Sequence, residues 1–353
     1  MSKENFNHIS VLRETILAMA GEVFTDHAPR LIVDGTLGEA GHTLAFHERW
    51  PEAGVLALDR DPEMIERASQ RLSLAGITAR EHEFTEGEEA GSNGLLPEPG
   101  EIVLHRARFS HLAELLEESG READLILLDL GVSMFHFNGA SRGFSHGDEN
   151  LDMRLDPELR RTAADLVNRL SEKEMSYLFA THGEERFSHR IARAIIRGRP
   201  YRSARQLSEL IARVMPAGPK VGKRSGGRGG EGGGKRIHPA TRVFQALRIA
   251  VNKEDEELAT ALKELPARLA PGGILAVISF HSGEDRMVKQ AFREIGEKRS
   301  REVRRKERQR PDREERAFRV LTDGPVRPEP EEVAENPASR SARLRVLQKK
   351  ADT

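Results

Sequence analysis

The chain has 353 residues, 37% hydrophobic and 32% charged, with a formal net charge of −1. That is enough apolar matter for one large domain carrying an insertion, or for two domains. The lack of cysteine excludes disulfides, thiolate metal sites and cysteine nucleophiles.

Charge is unevenly placed along the chain. Residues 82–101 are acidic and Gly/Pro-rich, whereas 220–236 and 298–316 are dense in lysine and arginine. Each basic stretch reads either as a local footprint for phosphate or as a solvated loop or helix face. Residues 1–14 contain no apolar h-region, and no apolar run is long enough to span a bilayer. A soluble cytoplasmic protein without a membrane partner is the expectation.

In chain order, residues 30–34 (RLIVD), 54–59 (GVLALD), 123–130 (ADLILLDL) and 273–280 (GILAVISF) read as buried parallel strands, with a weaker one at 101–106. Helical patterns at 41–50, 62–74 and 111–119 alternate with them, which predicts a doubly wound α/β sheet. The alternation stops at 155–215, where apolar spacing predicts helices at 163–170, 172–180, 190–196 and 204–214. Residues 217–234 are too rich in Gly, Lys and Arg to hold a core and read as a mobile loop. Helices at 239–252 and 254–269 follow. Residues 297–316 read as a charged helix or arm, and 321–335 as irregular. The expected organisation is a first sheet segment (1–140), an inserted helical domain (141–252), a second sheet segment (253–296) and a charged arm and tail (297–353).

The first strand runs into Asp34-Gly35-Thr36-Leu37-Gly38-Glu39-Ala40-Gly41-His42. Glycines between a strand and a helix permit a tight turn and a close ligand, and the helix offers free N–H groups. The second strand ends at Asp59, placed to accept both hydroxyls of a ribose; its other reading, an N-cap before Pro62, suits Asp61 better. The turn is not G-x-G-x-x-G and shows no diphosphate pattern, which favours S-adenosylmethionine over a nicotinamide dinucleotide. Asp129 ends a third buried strand at the edge where open α/β sheets bind ligands. A carboxylate there serves as a functional group or a structural cap.

With these residues on the page, the chain resembles the RsmH/MraW family of bacterial 16S rRNA cytosine-N4 methyltransferases. The matching stretches are HISVL (8–12), DGTLGEAGH (34–42), LDRDP (58–62), LLDLGVS (127–133), SRGFS (141–145), LDMR (151–154), HGEERFSHRIARAI (182–195), HPATRVFQALRIAVN (238–252), SFHSGEDRMVK (279–289) and SARLRV (341–346). The resemblance implies a Rossmann-like methyltransferase with an inserted helical domain for 16S rRNA of the small subunit. It implies S-adenosylmethionine contacts at Ala40, Gly41, His42, Asp59, Phe109, Asp129 and His136. His136 stands where the family has glutamine, and Gly283 where it often has leucine; the acidic stretch looks inserted.

The exocyclic amine of cytosine is a weak nucleophile, so the enzyme must position it and accept a proton. The candidates are Asp129 and Ser133, nearest the expected methyl, and His281 after the 273–280 strand. His281 reads either as a proton acceptor or as a partner of Glu284 or Asp285. Phe135 or Phe137 reads as a base-stacking ring or as packing. RNA contacts are expected from Arg142, Asp152, Arg154, Arg186, Arg190, Arg193, Arg242 and Arg248, with bracing of the fold as the alternative reading of these residues. No metal is required, because the histidines are scattered. A non-catalytic ribosome-assembly factor and a DNA cytosine-N4 methyltransferase stay as alternatives. A homodimer is compatible with the chain, with no residue arguing for one.

Overall fold

The computed structural model describes residues 9–83, 95–138, 141–216, 238–298 and 316–351. Most of the acidic stretch, the 220–236 loop, almost all of the 298–316 arm and His8 lie outside the described residues. The chain divides into two compact units. One comprises residues 1–133 with 255–353, the other 134–254.

The first unit is built on nine strands: β1 Leu31–Asp34, β2 Gly54–Asp59, β3 Ala79–Glu83, β4 Ile102–Arg106, β5 Ala123–Asp129, β6 Leu269–Ser279, β7 Gly296–Lys298, β8 Phe318–Val320 and β9 Arg343–Lys349. Their order across the sheet is β3-β4-β2-β1-β5-β6-β9-β8-β7. The run from β3 to β6 is parallel throughout, and β9 is antiparallel to β6 and β8. Side chains alternate between the faces as a strand requires. Ile32, Val55, Ala57, Leu125 and Leu127 join one core cluster; Leu31, Val33, Leu56, Ile126 and Leu128 join the other. The first is covered by α1 (Arg13–Val23), α2 (Gly41–Arg49) and α3 (Pro62–Leu74). The second is covered by α4 (Leu112–Glu118), α11 (Glu254–Glu264) and α12 (Ser282–Ile295). Burial on both faces is why β1, β2 and β5 read as continuous apolar runs. The doubly wound expectation holds, and its switch point lies between β1 and β5, where the chain turns from building one side of the sheet to the other.

Two sequence readings need correction, and one strand went unread. The polar segment 79–83 is an edge strand, paired on one side only, so it carries no apolar run. The C-terminal residues are not a tail: β9 lies between β6 and β8 and buries Leu344, Val346 and Leu347. Residues 330–335 form a short helix, α13, started by Pro330 with Glu331 and Glu332 in its first turn.

The second unit is helical: α5 (Met134–Asn138), α6 (Ala163–Arg169), α7 (Glu172–Thr181), α8 (Ser188–Gly198), α9 (Ala204–Val214) and α10 (Thr241–Asn252). Its helices begin on local polar chemistry. Thr162 with Asp165, and Ser171 with Glu174, form capping boxes that satisfy orphan N–H groups at the starts of α6 and α7. Buried Asn252 closes the unit: its amide donates to the carbonyls of Met153 and Arg248, and its oxygen accepts from the Leu155 N–H.

Candidate active site at the carboxyl edge of the sheet

Strands β1, β2 and β5 each end in an aspartate at the same edge, and the three do different work. Asp34 is wholly buried. Its carboxylate accepts from the Thr43 hydroxyl at 2.8 Å and the Thr36 N–H at 3.2 Å. Burial pushes the Asp34 carboxyl up from its ordinary range. The His42 charge and the Thr43 and Thr36 hydrogen bonds oppose that shift, and the Asp129 charge adds to it. Asp34 therefore organises the loop from below, a role not read from the sequence. Its signal was its place at a strand end, shared with Asp59 and Asp129.

Asp59 is tied into the same loop. One oxygen accepts from the Gly38 N–H at 3.0 Å and the other from the Asp61 N–H at 2.9 Å. These bonds fix the orientation of the carboxylate. Asp61, not Asp59, caps α3, accepting from the Glu63 N–H with Pro62 at the first helical position. Arg67 and Arg71 on α3 donate to the Glu39 side chain and carbonyl, which braces the loop from the far side.

The glycines at 35 and 41 are required by the protein's own packing. A Cβ on Gly35 would lie 2.6 Å from Leu128 Cδ2 and 3.4 Å from Phe109 Cβ; one on Gly41 would lie 1.9 Å from Ser10 Oγ. Phe109 is thereby placed beside the loop, and the 8–12 motif is explained in part by Ser10 lying over Gly41. Ala40 is in the left-handed region at φ 59°, starting α2.

Asp129 and His42 complete the site. The Asp129 N–H donates to Thr36 Oγ1 at 2.6 Å, which joins the end of β5 to the β1 loop. His42 is buried, with Nε2 3.6 Å from Asp129 Oδ2. Among the described residues neither ring nitrogen of His42 nor Oδ1 of Asp129 has a hydrogen-bond partner. Buried polar atoms without partners are costly, and three of them at one strand edge fit a polar ligand. Ala40, Gly41, His42, Asp59, Phe109 and Asp129 thus belong to one edge, with half-buried Ser133 four residues beyond Asp129.

His281 is corrected. It caps α12: Nδ1 accepts from the Glu284 N–H at 3.3 Å, while Nε2 lies 3.0 Å from Glu284 Oε1. The structural alternative, pairing with Glu284, is the one observed.

His136 lies in the helical unit on α5, buried, with its ring 5.3 Å from that of Phe144. Phe135 is half-buried and Phe137 exposed. The arginines divide sharply. Arg154 pairs with Asp152 and donates to the carbonyls of Pro157 and Leu159. Arg142 donates to the carbonyls of Arg154 and Leu155, and Arg248 forms a forked pair with Glu254. Asp152, Arg154, Arg142 and Arg248 therefore brace the fold. Arg186, Arg190, Arg193 and Arg242 are exposed, Arg193 reaching Glu172.

A doubly wound sheet with an aspartate ending each of three strands and a His42–Asp129 pair at its switch point has the build of an α/β enzyme that binds its ligand at the carboxyl edge. The model of the MraW methylase family matches residues 5–350, and the chain belongs to that family. It is 40% identical to "Ribosomal RNA small subunit methyltransferase H" of Treponema denticola over 349 residues, 97% of each chain. The protein of the same name from Acidobacterium capsulatum is 40% identical over 319 residues, covering 90% of this chain and 91% of its own. The chain is thus a methyltransferase with S-adenosylmethionine as methyl donor. The residues at this edge fit that group: Asp59 presents a carboxylate at the end of β2, and His42 and Asp129 offer buried polar atoms without hydrogen-bond partners among the described residues. No helix among the described residues is long and apolar enough to cross a membrane.

Proposed function

We propose that this methyltransferase modifies the exocyclic N4 of a cytidine in 16S rRNA of the small ribosomal subunit, in the cytoplasm. The observation that carries this reading is the near full-length likeness to relatives named for small-subunit ribosomal RNA methylation. Bound S-adenosylmethionine supplies an electrophilic methyl on a sulfonium. Ala40, Gly41, His42, Asp59 and Phe109 hold it, with Asp59 oriented by its bonds to Gly38 and Asp61. Asp129 orients the amine through its carboxylate and takes up its proton, with Ser133 as a second polar contact. His42, at 3.6 Å, positions Asp129. The helical unit is proposed as the RNA-recognition part, with phosphate contacts from exposed Arg186, Arg190 and Arg242.

Transfer of labelled methyl from S-adenosylmethionine into small subunits lacking the modification, followed by nucleoside analysis, tests the reading. The expected product is an N4-methylcytidine derivative. Label on another base, or none despite bound cofactor, overturns it. In the same preparation Asp59→Ala is expected to weaken cofactor binding by calorimetry; unchanged affinity removes Asp59 from the ribose role.

A further inference from the structure

Charge is partitioned between the two units. Residues 134–254 contain 23 lysines and arginines against 13 aspartates and glutamates, a formal +10; the rest of the chain contains 33 against 44, a formal −11. A neutral chain arranged this way concentrates positive potential on one unit, and the ligand such a unit attracts is a polyanion.

Within that unit Arg142, Arg154 and Arg248 are braces, as is Arg199, whose guanidinium donates to the carbonyls of Val167 and Leu170. The α7–α8 hairpin differs. Ser176 donates to Ser188 at 3.2 Å and Arg193 to Glu172 at 3.1 Å, so the helices run antiparallel with residue 177 level with 187–188. Helix α8 buries Ser188, Ile191, Ala192 and Ile195, which turns Arg190, Arg193 and Arg197, at i, i+3 and i+7, to solvent. Helix α7 buries Met175, Ser176, Leu178 and Phe179, and Tyr177 is 69% exposed. Helical periodicity combined with the hairpin register puts Tyr177 and these arginines on the same outward side. The acids there are engaged: Glu172 pairs with Arg193, and Glu174 closes the capping box with Ser171. An outward tyrosine contributes almost nothing to the core, whereas beside a row of guanidinium groups it matches an unpaired base joined to phosphates.

We propose that the outward side of the α7–α8 hairpin is a docking surface for an unpaired stretch of RNA, with Arg190, Arg197 and Arg186 on phosphates and Tyr177 stacked on a base. The proposal rests on the reading of RNA as substrate. Stacking and phosphate contact tolerate any sequence, so this surface supplies affinity and register rather than the choice of cytidine.

Wild type, Tyr177→Ala and the double variant Arg190→Glu, Arg197→Glu are compared by methyl transfer across a range of small-subunit concentrations and salt, with cofactor binding measured by calorimetry. The replaced side chains are exposed, so thermal midpoints stay at the wild-type value. The subunit KM is expected to rise about tenfold for Tyr177→Ala and further for the charge reversal, with kcat and cofactor affinity unchanged. The salt slope of the double variant becomes shallower, by about two phosphate contacts. A subunit KM within about twofold of wild type for both variants, against the stacking contribution expected, overturns the docking surface while leaving the RNA reading standing. A wild-type enzyme that binds cofactor but transfers nothing to subunits overturns the RNA reading, and the docking surface falls with it.

Discussion

The sheet unit and the helical unit use their polar side chains differently. At the carboxyl edge of the sheet, buried His42 and half-buried Asp129 hold polar atoms without hydrogen-bond partners among the described residues. In the helical unit, caps such as Thr162 and Ser171 and braces such as Arg154 and Arg248 pair most of the polar groups that hold the fold, with His146 Nδ1 and Tyr201 Oη as buried exceptions, and the exposed arginines of α8 point outward. Unsatisfied buried groups cost stability and persist where a ligand will complete them. Satisfied ones hold a surface in shape. The difference accords with the proposed division, chemistry in one unit and docking in the other.

The comparison is broken most severely at Asp129. Asp129→Ala is expected to lower methyl transfer by about 10²–10⁴-fold with little loss of thermal stability, since Oδ1 has no hydrogen-bond partner among the described residues and Oδ2 meets His42 at 3.6 Å, beyond hydrogen-bond range. Full activity would move the reacting centre elsewhere, and a large drop in melting temperature would make Asp129 a structural residue like Asp34. The matching cut in the helical unit is Asn252→Ala. It strands the Leu155 N–H and two carbonyls in a buried place and is expected to cost about 3 kcal/mol of stability, read by denaturant unfolding. A cost below about 1 kcal/mol, less than that of one stranded group, would show that the unit does not depend on its internal bonds.

Acid tests both units at once. His105 in the sheet unit and His146 in the helical unit are each held down to about 4, mainly by burial. Both fold with neutral rings, while the unfolded chain takes up protons near the ordinary histidine value. Stability is therefore complete above about pH 6.5 and declines as pH falls toward 4, by up to on the order of 3 kcal/mol for fully buried His105 and less for half-buried His146. His105→Gln should flatten that part of the profile in thermal melts; an unchanged slope would place the acid sensitivity in other groups. The smallest effect is expected at Thr162→Ala, which opens the α6 capping box at about 1 kcal/mol and leaves cofactor binding untouched. A change in cofactor affinity would break the separation of the two units' tasks.

Much of this was legible in the residues. Continuous apolar runs gave β1, β2 and β5 because both faces of a parallel sheet are covered. Asp59 and Asp129 followed from their places at strand ends. The shift to helical spacing marked the insertion because periodicity is local. The sequence by itself therefore determined the doubly wound core, the cofactor edge and the helical block. Only the tertiary structure decided what depends on contacts distant in the chain. It placed β9 between β6 and β8, since pairing partners are not encoded in a strand's own residues. It gave His281 to Glu284 as a cap. It set Ser10 over Gly41. It also separated bracing arginines from outward ones, because a guanidinium's role depends on whether carbonyls and carboxylates from other segments converge on it.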